Sequence, residues 1–357
     1  MKIPGKKIKR TCDLLNLVPS TPGVPSSIFV QLASIEKGLD MRLSAEVSVS
    51  TCVQGLDLNL KNPVAVDRRV LFPFIQSDEG EYDIEFKDGQ LLIKHGRRRA
   101  ELRTVKIDWT YGAWDAQKTQ SLKITPDLMD AIRCAKFCAS EDPILPELNC
   151  VWIEFGKQAF TFASNDLIMC CNRGKAVESE SVGIAFPLAL IDVLVAEDIS
   201  EVLLGKGTVG GKIDGTRLWA QAPQKASKAF PVTRLKKLIV DSRSTKGAFQ
   251  TDMKDLVELC ANFTVYLSNL PRTEWGLNVE VGEDVVNIEA KTSVARFQDR
   301  LPATIKAAGT VMDLNLSVLA PIIAFLDGRA EKVTFTKSGG TVHILAGGYE
   351  FLLSQKV

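Results

Sequence analysis

Histidine is nearly missing from this 357-residue chain: only His95 and His343 occur. Imidazole is the usual carrier of acid–base and metal chemistry near neutral pH, so its scarcity argues against both. Each histidine lies in an alternating, strand-like segment, where a surface or edge position is expected. The chain also lacks any apolar run approaching the roughly 20 residues that cross a bilayer, so no membrane role is expected. Its beginning, MKIPGKKIKRTCDLL, carries cations with no apolar stretch behind them, unlike a secretory signal. None of the eight cysteines forms a C-x-x-C pair; they fall at 12, 52, 134, 138, 150, 170, 171 and 260. Several sit inside apolar segments, which reads as buried free thiols in a reducing cytoplasm rather than a metal site or disulfide framework. Net charge is only +1, which excludes a global field drawing the protein onto polyanions. G-x-x-x-x-G-K-[ST], H-E-x-x-H and G-x-S-x-G are all absent, as is a G-x-G-x-x-G following a strand. The acidic residues are dispersed rather than clustered. No catalytic residue, metal ligand or cofactor is therefore assigned.

What remains is an ordinary folded composition, 45% hydrophobic and 24% charged, and a strong internal repeat. Residues 83–105, DIEFKDGQLLIKHGRRRAELRTV, alternate apolar and polar positions around Asp88-Gly89 and Gly96. The same grammar returns at 202–222 and at 333–355, where Gly339-Gly340 and Gly347-Gly348 mark the turns. Alternation punctuated by glycine turns predicts consecutive antiparallel hairpins. A second hairpin set recurs at 29–50, 150–171 and 276–297. Amphipathic segments precede each second-set hairpin, at 6–18, 125–140 and 251–263. Thr125 and Pro126 open the middle one as N-cap and first helical residue. Shorter apolar helices are expected at 67–76, 187–198 and 315–328, with Pro73 shortening the first. The spacing of roughly 120 residues is that of independent domains, which places polar links near 112–120 and 241–248. Each copy has strands for one sheet and two helices to cover it, an α+β layer. The arginine run 97–99 thus belongs to a strand that occurs three times, and only the first copy is arginine-rich.

In this order and spacing the chain resembles the bacterial DNA polymerase III β subunit family, the replicative sliding clamps. The likeness covers essentially the whole chain. It is carried by VDRRVLFPFIQSDEGEYDIEFKDGQLLIKHGRRRAELRTV, whose last strand looks like the family's basic G-R-x-R strand, by AFPVTRLKKLI (229–239), and by YLSNLPRTEWGLNVEV. The resemblance implies an α+β fold of three tandem DNA-clamp repeats, 1–116, 117–243 and 244–357, each with two helices packed on antiparallel sheet. It further implies a homodimer that closes into a six-domain ring around duplex DNA without reading its sequence. Such a ring has no active site and serves a DNA polymerase and a clamp loader.

The resemblance also implies three sets of site residues. DNA-facing cations are expected at Lys6, Lys7, Lys9, Arg10, Arg68, Arg69, Arg133, Lys136, Lys254 and Arg329, because a sliding contact needs charge toward phosphates without base-reading geometry. The plain alternative for each is a solvated helix face. A partner-peptide groove maps onto Ser164, Asp166, Leu167, Ile168, Met169, Pro231, Leu235, Leu352 and Leu353. Here the family's T-D-G-H-R-L is replaced by SNDLIM, so its Gly, His and Arg are gone and the groove is expected to be more apolar. Core packing of a strand is the alternative. A dimer edge maps onto Arg99 and Leu102 facing Tyr266 and Leu267. The rival function is a non-ring interaction or scaffold protein built on the same fold, kept open by the concentration of cations in the first repeat.

Overall fold

The computed structural model describes residues 1–18, 27–36, 38–45, 47–106, 120–142, 144–145, 147–156, 159–165, 168–174, 182–205, 207–213, 216–221, 230–245 and 247–355, with backbone only at 169, 171–174, 216 and 244. The described helices are α1 (Gly5–Asn16), α2 (Arg68–Phe74), α3 (Pro126–Cys138), α4 (Leu188–Ala196), α5 (Val232–Ser244), α6 (Met253–Leu267) and α7 (Leu316–Leu326). Every sheet pairing is antiparallel, and both three-stranded hairpin sets form in all three repeats. By contact density the chain divides into two compact units, Met1–Ile124 with Ala189–Gln224, and Thr125–Leu188 with Lys225–Val357. The middle repeat contributes to both.

In the first unit, the strands Lys2–Pro4, Glu81–Lys87, Gln90–His95 and Arg98–Arg103 form a four-stranded sheet in that order. Asp88 and Gly89 take φ of 49° and 75°, the two left-handed residues that a tight hairpin with matching twist demands. An eight-stranded sheet arises where Val47–Gln54 pairs with Thr216–Gln221, Val49 opposite Leu218. A strand of the first repeat is thus completed by a strand of the second. α1 turns Ile8, Thr11, Cys12, Leu14 and Leu15 inward at helical spacing and leaves Lys6 and Lys7 outside.

The second unit repeats this logic. Ile168–Gly174 pairs with Tyr349–Ser354, Cys170 opposite Phe351, and fuses two hairpin sets into a nine-stranded sheet. α3 covers one face, where Thr161 Oγ1 donates to the Ala131 carbonyl at 3.1 Å. Thr125 Oγ1 accepts from Leu128 N, and Pro126 opens the helix as expected. α5 covers the opposite face, so Cys150 and Val151, adjacent in sequence and pointing opposite ways, are both fully buried. Arg296–Leu301, Val286–Lys291, Gly276–Val281 and Val311–Asn315 make a further four-stranded sheet.

Three expectations change. α5 runs through Ser244, so helix occupies half of the expected link at 241–248; the expected link at 112–120 lies almost wholly outside the described residues. The helix persists because Leu235, Ile239 and Ser242 are buried along one stripe. His343, expected at a surface or edge, is 3% exposed in the middle of the nine-stranded sheet. Arg68, expected to face phosphates, is 9% exposed, and its Nη1 donates to the carbonyl of buried Val18 at 2.6 Å, two residues beyond the end of α1. A buried backbone carbonyl must find a donor. Replacing Arg68 with Leu should therefore cost about 1–3 kcal/mol in urea unfolding while leaving DNA association unchanged. A variant of parental stability and weakened DNA association would contradict this assignment.

Candidate functional site

Apolar side chains from distant parts of the second unit converge on one cavity. Ser164, Ile168, Pro231, Leu235 and Leu352 all line a space of about 380 Å³, together with Leu148, Leu238 and Arg234. Its floor continues into a packed cluster of Cys150, Phe162, Phe230 and Ile239 beneath α5, with Trp152 stacked on Phe230 at 5.8 Å between ring centroids. Leu353 lines a second cavity of about 480 Å³, whose apolar side is Leu277, Leu314 and Val318 and whose rim includes Glu289, Lys291 and Asp313. Ser354 lines both, so the two spaces adjoin at the end of the last strand. Asp166 and Leu167 lie outside the described residues; Met169 has its backbone opposite Leu352. Asn165 Oδ1 accepts from Ile168 N at 2.8 Å at the start of the strand.

Two ion pairs tie α5 to the sheet. Lys236 Nζ meets Glu154 at 2.7 Å, half exposed. Arg243 Nε donates to Glu350 Oε2 at 2.8 Å, and its Nη2 donates to Oε1. Glu350 is buried, and His343 Nε2 lies 3.3 Å from its Oε2 without the alignment of a hydrogen bond. Burial alone would push the Glu350 carboxyl up. Contact with His343 and the paired guanidinium of Arg243 overcomes that and holds it at about 2. A carboxyl depressed on folding stabilises the fold above its ordinary value of 4.5 and loses that contribution as pH falls from there toward about 2. Glu350→Gln should accordingly be less stable than the parent at pH 7, with the difference shrinking as urea midpoints are followed below pH 4.5. A constant difference across that range would contradict the assignment.

Most candidate cations have partners within the protein. Lys9 pairs with Asp13 one turn on, Arg69 with Asp67, Arg133 with Asp130, and Arg10 with Glu197. Lys7 Nζ donates to the Gln54 carbonyl. Arg329 donates to the Phe325 carbonyl and lies 4.4 Å over its ring. Lys6, Lys136 and Lys254 are exposed on their helices. Exposed pairs of this kind are worth about 0–1 kcal/mol and exchange readily with solvent or phosphate.

Among the described residues, each four-stranded sheet ends in a six-residue strand with one unpaired edge, Arg98–Arg103 and Arg296–Leu301. Arg99 is exposed beside Glu101 at 2.8 Å, and Arg98 lies 5.8 Å over the Phe74 ring. Leu102 faces inward at 6% exposure. Tyr266 is half exposed and stacks on Phe297 of the second edge, 5.0 Å between centroids. Leu267, expected at an interface, is instead fully buried in its own unit. Arg296 and Phe297 were not anticipated as edge residues; the alternation of GLNVEVGEDVVNIEAKTSVARF held that signal.

No family model and no curated relative matches this sequence. Among solved structures, the DNA polymerase III subunit beta of Pseudomonas aeruginosa is similar over 100% of this chain and 99% of its own, with TM-score 0.79 and 16% identity. The DNA polymerase sliding clamp of Caulobacter crescentus gives TM-score 0.85 at 12% identity over 100% and 99%. A putative DNA polymerase III beta subunit from Eubacterium rectale gives 0.85 at 9% over 99% and 98%. End to end, the chain has the fold of the sliding clamps, three tandem α+β repeats.

Proposed function

We propose that this chain is a DNA polymerase processivity factor, a sliding clamp that encircles duplex DNA and has no catalysis of its own. The observation that carries the reading is the clamp fold matched over the full length of both partners in each comparison. In this reading the repeats are the domains 1–116, 117–243 and 244–357, two copies close a ring, and the protein works in the cytoplasm with a polymerase and a clamp loader. The helix cations, Lys6, Lys136 and Lys254 among them, supply a diffuse attraction for phosphates. The adjoining cavities at Leu352 and Leu353 receive an apolar-anchored peptide of the polymerase.

Weak local cations and a closed ring together imply retention by topology rather than affinity. Loaded protein should remain on nicked circular DNA and leave when the circle is linearised, while direct binding to linear DNA is weak and falls steeply with salt. Equal retention on both forms would favour the non-ring scaffold.

The outer edge of strand Arg98–Arg103 either guards itself with charge or pairs with a second copy. We assign it to the junction, facing the edge backed by Tyr266 and Phe297. Arg98→Glu with Arg99→Glu would set a carboxylate beside Glu101 and remove the cation over Phe74. Light scattering should then report monomer at low micromolar concentration, with added salt loosening the parental dimer. A double variant that stays dimeric would refute this junction.

A further inference from the structure

We infer that the Arg243–Glu350 pair is a clasp that holds α5 against the nine-stranded sheet and so positions the groove for its partner; the role in binding rests on the peptide-groove reading above. The groove has two walls. One is α5 and the residue before it, through Pro231, Leu235 and Leu238; the other is sheet, through Thr341, Leu352 and Ser354. The helix wall is lightly held. Among its described side chains only Leu235, Ile239 and Ser242 are buried, against seven buried residues in α3. No side chain caps its N-terminus. The Lys236–Glu154 tie is half exposed and open to screening.

The clasp differs at its acidic end: Arg243 is about a third exposed, but Glu350 is buried. Glu350 stands two residues before Leu352, on the same face of the strand, and directly across from Leu352 is His343. The carboxylate is therefore set into the same sheet surface that forms the groove wall. Arg243 reaches it from the last turn of α5, eight residues beyond Leu235. Removing the guanidinium leaves the buried carboxylate with only His343 Nε2, 3.3 Å away, beside it, whereas removing both members takes away the charge that needs a partner. This asymmetry separates a clasp from general packing.

Cys150 is the reporter. It is fully buried in the cluster under α5, and burial pushes its thiol up to about 12. Cys12 and Cys260 are buried elsewhere, on the inward faces of α1 and α6. Native full-length protein would be labelled with iodoacetamide and each cysteine followed by peptide mass mapping. Arg243→Met should label Cys150 about tenfold faster or more, as a locally opened segment does, with Cys12 and Cys260 unchanged. Adding Glu350→Leu should restore slow labelling, and stimulation of the cognate polymerase should fall and recover in parallel. An unchanged Cys150 rate, or all three thiols accelerating together, would overturn the clasp. Leu352→Glu is a separate arm: full polymerase stimulation by that variant would overturn the peptide reading and the clasp's part in binding, while the Cys150 result judges the clasp itself.

Discussion

Every strand of this protein needs a neighbour, and that requirement organises the fold. A hairpin set of three strands has unpaired backbone at both margins, which in water invites indiscriminate pairing. The chain meets the requirement by letting one repeat finish the sheet of another. Val49 opposite Leu218 does this in the first unit, and Cys170 opposite Phe351 in the second. Two six-residue margins then remain on the four-stranded sheets, Arg98–Arg103 and Arg296–Leu301. Both carry charge, the first with three arginines and the second with Arg296, Asp299 and Arg300. The ring reading completes the pattern, since a second copy would cover these margins by the same strand-to-strand logic.

Sheet continuity also creates the groove. Where Ile168–Gly174 meets Tyr349–Ser354, residues almost two hundred positions apart become cross-strand neighbours. Leu352 and Ile168 are thereby brought to line one cavity beside α5. The helix leaves space over them rather than sealing it, and the adjoining cavity at Leu353 lengthens the slot. A slot with an apolar floor and charged rim suits a short peptide with large side chains and an extended backbone. Of the SNDLIM segment, Ser164, Asn165 and Ile168 line this slot.

The legible parts of the fold were those governed by local rules. Asp88-Gly89 and the strict alternation around it announce a hairpin, and Thr125-Pro126 announces a helix start. The groove positions were legible only through likeness of order and spacing, since SNDLIM and FLLS carry no motif of their own. What escaped was set by partners far along the chain. Arg68 is buried because Val18, 50 residues away, offers a carbonyl. The last turn of α5 looked like a polar link because DSRS lacks apolar residues, yet Arg243 finds Glu350, 107 residues on. Leu267 reads like its exposed neighbour Tyr266 until the helix phase turns it inward. A charge is read from sequence as solvated, and only tertiary contact reveals it as a tie.

The central claim is that two copies of this clamp fold close upon each other through their remaining sheet margins. Projection imaging of the purified protein, with mass measured on the same sample, tests it most directly. The account predicts a toroid with a central hole and twice the 39.1 kDa mass of one chain. Particles of single-chain mass with no hole, at concentrations where the protein is well folded, would contradict it.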